Sequence, residues 1–131
     1  MSKFIVIGEV IDEHRTCDVH VNTESILYFE AAAKGSIAKT EIRLVSVGPR
    51  RRSLFVAEDV SAVQMMLGPV AALKHLSGMS NANKDVFVLP AHVKLVTGQR
   101  PRPVQGQMAT IEFLDGSELD VDDAVALIAL L

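Results

Sequence analysis

The chain has no tryptophan, one tyrosine and one cysteine, Cys17. A lone cysteine excludes an internal disulfide and points to a reducing, cytoplasmic setting. Aromatic residues are only 5% of the chain, too few to suggest a base-stacking platform. An excess of either charge is also missing. Thirteen Lys and Arg face sixteen Asp and Glu, for a net charge of -3, so neither a basic field suited to nucleic acid nor an acidic tail is expected. Long apolar runs are absent too. Phe4–Ile7 is too short for a signal peptide and is followed by Glu9, Asp12 and Glu13, while Val60–Leu73 is broken by Gly68-Pro69 and falls short of a membrane span. No nucleophile elbow, P-loop or H-E-x-x-H motif occurs. No enzyme, cofactor or catalytic residue is therefore expected.

What is present is a chain of 131 residues that is 49% apolar, enough for one compact core. Lys3–Ile11 is apolar and β-branched and reads as a strand, with Gly8 as a bulge signal. Asp12–Asp18 reads as a polar loop. Val19–Val21 and Ile26–Ala31 read as short strands around a turn at Asn22–Ser25. Thr40–Val47 alternates, with Ile42, Leu44 and Val47 inward and Glu41 and Arg43 outward. Gly48-Pro49 turns the chain into a strand at Ser53–Val56. Val60, Val63, Met66 and Leu67 recur at helical spacing behind Glu58-Asp59. Gly68 ends that helix, and Pro69 predicts the start of a second one, Pro69–Leu76. Asp115-Gly116 predicts a two-residue type I′ hairpin turn.

The small, polar stretch 77–84 reads as a linker, after which the pattern begins again. Phe87-Val88 answers His20-Val21, and Val93 and Leu95 answer Ile26 and Tyr28. Ile111-Glu112-Phe113 answers Ile42-Arg43-Leu44, Leu119 and Val121 answer Leu54 and Val56, and a terminal helix at Asp122–Leu131 answers Glu58–Leu67. The expected fold class is α+β: a duplicated β-hairpin-rich unit, antiparallel strands followed by a helix. The two units, 1–76 with closing helices and 85–131 with the C-terminal helix, are expected to pack as one domain.

Each unit carries one outline. In the first it is Val21, Ile26, Thr40, Ile42, Leu44, Leu54, Val56 and Glu58, and in the second Val88, Val93, Thr110, Ile111, Phe113, Leu119, Val121 and Asp123. Thr110 stands one place nearer its isoleucine than Thr40 does. The outline resembles the small FlbD-like family of flagellar and phage-borne proteins, here present twice. Val21–Met66 also resembles a LytTR-type DNA-binding domain, through Ile26-Leu27-Tyr28-Phe29-Glu30 and Ser53-Leu54. The first resemblance implies a fold and a phage or accessory setting, with no catalytic residues to transfer. The second would imply base-reading side chains, none of which is matched.

Two charge clusters stand out. Arg50, Arg51 and Arg52 sit at the tip of the first hairpin, and Arg100 and Arg102 in the long loop of the second unit. Guanidinium groups so placed can hold phosphates. Glu112–Asp123 holds six carboxylates, Asp120, Asp122 and Asp123 among them, and no base, whereas Lys39–Arg52 holds five bases against Glu41 alone. Equivalent hairpins of opposite charge would make a self-complementary contact. His14, Cys17 and His20 lie three apart, but loop-into-strand geometry and the lack of a fourth ligand argue against a metal. The sequence therefore predicts a non-enzymatic, homo-oligomeric binding or regulatory protein that sequesters a partner. Its rivals are a nucleic-acid binder and a binder of a small anionic ligand between protomers.

Overall fold

A computed structural model describes residues 4–33, 36–47, 50–76, 84–102, 106–122 and 124–131, with side chains described except at 47, 50, 51, 99–102 and 106–108. The described residues build a β-rich, antiparallel sheet with two short α-helices, a coarse α+β arrangement. The first half runs through strands β1 (Phe4–Asp12), β2 (Arg15–Asn22), β3 (Ile26–Ala31), β4 (Thr40–Val47) and β5 (Arg50–Val56) into helix α1 (Val60–Leu67). The second runs through β6 (Ala71–His75), β7 (Lys84–Val88), β8 (Val93–Arg102), β9 (Gly106–Phe113) and β10 (Glu118–Val121) into helix α2 (Val125–Ile128). The ten strands join in the order β2-β1-β5-β4-β3-β7-β6-β10-β9-β8.

Period-two patterning places the core. Ile42 on β4 lies opposite Leu54 on β5, and Thr40 opposite Val56, all four side chains buried. In the second half Ile111 on β9 lies opposite Leu119 on β10, and Ala109 opposite Val121, again all buried. Alternate residues of a strand point to opposite faces, and at the junction this separates two cores. Tyr28 pairs with Val88, and both belong to the cluster built on Phe113, Ile111, Val121 and Leu127. Phe29 pairs with Phe87, and both pack with the cluster built on Ile42, Leu54, Val56 and Val63. The two cores therefore lie on opposite faces of the sheet, and β3 and β7 serve both.

Several expectations are corrected. Pro69–Leu76 is not a helix: Ala71–His75 is a strand, with Ala71 and Leu73 buried and Ala72 and Lys74 exposed. Its neighbours β7 and β10 satisfy its backbone, and the Gly-Pro punctuation before it precedes a strand instead. Asp12–Asp18 is not a loop. Strands β1 and β2 run up to a turn at Glu13-His14, and β2 is polar because it is an edge strand, exposed along most of its length. Gly8 marks no bulge. The pairing runs regularly through it, and the register shifts between Val10 and Asp12. Asp115-Gly116 belongs to a three-residue loop, Leu114–Gly116, closed by Phe113 N–H donating to Ser117 O at 2.9 Å. Positive φ is recorded there at Gly116, at 90°, as in the three-residue hairpin that ends in a left-handed glycine. The last helix spans Val125–Ile128, shorter than Asp122–Leu131. The turn residues Gly48 and Pro49 and the stretch 77–83 lie outside the described residues.

Candidate functional site

The arginines stand on strands. Arg50, Arg51 and Arg52 belong to β5, with Arg50 opposite Val47 and Arg52 opposite Leu44, so they flank the hairpin tip rather than form it. Arg100 and Arg102 belong to β8, opposite Met108 and Gly106, and not to a loop. Both strands extend because their hairpin partners offer a ladder, which a run of like charges does not prevent when it can face water. Arg52 is exposed. Of the acidic set, Asp120 is exposed on β10 and accepts from Thr110 Oγ1 at 2.7 Å. Asp122 follows β10, and its N–H donates to Lys74 O at 3.1 Å. Asp123 lies outside the described residues.

The two hairpins of opposite charge meet within one chain. Asp115, in the β9–β10 loop, accepts from Ser46 N on β4 at 2.8 Å, and from Ser117 N at 2.9 Å and Ser117 Oγ at 2.5 Å. Partial burial alone would raise its pKa. The bonds from Ser117 and Ser46 outweigh that and hold the carboxyl below the usual range.

A second group of polar and aromatic contacts gathers around Tyr28. Arg43 lies opposite Tyr28, with its guanidinium carbon 5.9 Å from the ring centroid. Tyr28 stacks on Phe113 at 5.8 Å and meets His75 edge-on at 6.5 Å. His75 Nδ1 is 2.8 Å from Glu30 Oε2, and Glu30 is buried. Arg43 Nε and Ser46 Oγ are buried atoms without a hydrogen-bond partner. A carboxylate–imidazole pair can orient a base, but this one spans β3 and β6 and ties the two halves together. The contact gives the buried Glu30 side chain a polar partner. Sequence reasoning missed Glu30, His75, Arg43 and Asp115 as a group. The available signal was Glu30, one carboxylate inside the apolar run Ile26–Ala31.

The His14, Cys17 and His20 set lies on the β1–β2 hairpin. His14 is in the turn, and Cys17 and His20 are an odd number apart on β2, so they point to opposite faces. Asp12 takes bonds from His14 N at 2.9 Å and Arg15 Nε at 2.8 Å, which hold its carboxyl below the usual range. Among the described residues no three His, Cys, Asp or Glu side chains group as a metal site, and no helix is long and apolar enough to cross a membrane. No protein-family model, curated protein or solved structure matches the chain.

Proposed function

We propose that this is a non-enzymatic, homo-oligomeric binding protein built from one duplicated five-stranded unit, acting by sequestering a partner in the cytoplasm. One observation carries the reading: the order β2-β1-β5-β4-β3 is followed by β7-β6-β10-β9-β8, the same order advanced by five strands. The registers agree with it. The pairing of β3 with β4 shifts between Ile26 and Tyr28, and that of β8 with β9 between Val93 and Leu95. These are the positions that the sequence pattern equates. Ile42 opposite Leu54 is repeated as Ile111 opposite Leu119, and Thr40 opposite Val56 as Ala109 opposite Val121, so Ala109 and not the expected Thr110 stands in the place of Thr40. Ala57 N donates to Gly8 O at 2.9 Å, and its counterpart Asp122 N donates to Lys74 O at 3.1 Å. One bulge and one narrow joint thus recur at equal places, while the shifts at Val10/Asp12, Leu44/Val47 and Gly98/Arg100 belong to single strand pairs. The repeat boundary in this reading falls at Gly68–Val70, since β6 is the counterpart of β1. The phage-borne, FlbD-like origin stays part of the proposal on the outline residues alone.

A unit that already packs against a copy of itself is suited to self-association. The described surface exposes large apolar side chains, among them Val6, Phe55, Met65, Leu114 and Leu131. The test is sedimentation of the pure protein across a wide concentration range at low and high salt. A concentration-dependent oligomer is expected, and a monomer throughout would overturn the reading. Salt-steep binding to long DNA would instead favour a nucleic-acid interface using Arg50, Arg51, Arg52, Arg100 and Arg102. A small anion carried through native purification would favour the ligand reading.

A further inference from the structure

The joint that unites the two halves is made by β3 and β7, and in the repeat their counterparts are β8 and β2. Those are the two strands at the ends of the sheet. Each chain thus holds one β3–β7 joint inside and presents the two sides of the same joint, unpaired, at its edges. We propose that β8 of one protomer pairs antiparallel with β2 of the next, in the register of the internal joint. This deepens the homo-oligomer reading and rests on it.

The register is specific. Tyr28 opposite Val88, Phe29 opposite Phe87 and Glu30 opposite Val86 translate into Leu95 opposite Val21, Val96 opposite His20 and Thr97 opposite Val19. Side-chain exposure fits a site that awaits this neighbour. Tyr28, covered at the internal joint, is 9% exposed, while its counterpart Leu95 is 43% exposed on an open edge. Phe87, which stacks on Phe29 with centroids 5.2 Å apart, is half-buried, whereas its counterpart His20 is exposed. Charge supplies a second, independent argument. Strand β8 carries Arg100 and Arg102 and no acid, while the hairpin that ends in β2 carries Asp12, Glu13 and Asp18 against Arg15, which pairs with Asp12 at 2.8 Å. The antiparallel register sets the Arg100–Arg102 end of β8 beside the Asp12–Asp18 end of β2. A long open edge is otherwise a hazard that proteins blunt or cover. The contact is heterologous, so it propagates head to tail and closes into a ring or runs on as a fibre.

The experiment uses full-length protein with Cys17→Ser as background. One preparation carries Val96→Cys and another His20→Cys, and they are mixed and oxidised. A parallel pair carries Thr97→Cys and Val19→Cys. Adjacent antiparallel pairs alternate between wide and close separation, so one of the two sets is close enough to bridge. The expected result is a disulfide dimer of unlike partners in at least one set, formed at least tenfold more than by either partner alone. Equal linking of Val96→Cys or Thr97→Cys protein with itself would overturn the proposal in favour of a two-fold β8–β8 contact. An absence of linking in both sets, in preparations that sediment as oligomers, would overturn the edge pairing while leaving the homo-oligomer reading standing. Monomers at every concentration would overturn both.

Discussion

The two halves bury their central strands alike but anchor their helices differently. In the first half, Asp59 caps α1 by accepting from Ala62 N at 2.8 Å. The Glu58 carboxylate takes the Gly8 N–H at 3.1 and 3.2 Å, and Thr40 Oγ1 donates to Glu58 O at 2.7 Å. In the second half α2 has four residues, Ala124 as an N-cap without a side-chain bond, and Leu127 as its buried residue. Val125, Ile128, Leu130 and Leu131 are exposed around it. Similar strand cores thus coexist with one helix capped by the Asp59 side chain and a shorter one that follows the buried Ala124 and buries Leu127. The strands carry the stability of each half, and helix anchoring is where the halves have room to differ.

The largest effects test the shared part. Ile42→Ala and Ile111→Ala should each cost about 2–5 kcal/mol in denaturant unfolding, because both side chains are fully buried and leave comparable cavities. A cost confined to one of the two would break the proposed equivalence of the halves. Asp115→Asn comes next, at about 1–2 kcal/mol near neutral pH, since it weakens charge-assisted bonds that reach from the second half to Ser46. The sign follows from the lowered folded pKa. The contribution of Asp115 is present above the ordinary carboxylate pKa and is lost as pH falls through the folded value, so parent and variant should converge in acid.

Helix anchoring sharpens the contrast on a smaller scale. Asp59→Ala should cost about 1 kcal/mol through the lost cap, and hydrogen exchange should report faster opening of α1 in that variant. In the parent protein the amides of α2 should already exchange faster than those of α1. Cys17→Ser is the smallest change, within about 0.5 kcal/mol, because Cys17 is exposed on an edge strand. A larger loss in thermal or denaturant melting would mean that the thiol has a partner in solution.

The alternating stretches 40–44 and Thr110–Phe113, with Leu54, Val56, Leu119 and Val121, were legible in the sequence because side-chain direction in a strand depends on local backbone geometry alone. So were the strand content, the α1 stripe at Val60, Val63 and Leu67 and its Gly68 stop, but not Met66, which is exposed. Where alternation was weak, the reading failed. Strand β2 is polar because most of its side chains are exposed, at the end of the strand order among the described residues, and β6 is five residues that look helical after a Gly-Pro pair. The candidate site was legible only as scattered charges. Glu30 and His75 are 45 residues apart, and Ser46 and Asp115 are 69 apart. Composition, period and turn chemistry by themselves determined that this chain would be β-rich, which positions would fill its cores and where its charges would cluster. Only the tertiary structure decided which strands are neighbours, that β3 and β7 join the halves with their cores on opposite faces, and that β2 and β8 are left as edges. Those choices depend on pairing between residues distant along the chain, and no local pattern encodes the partner.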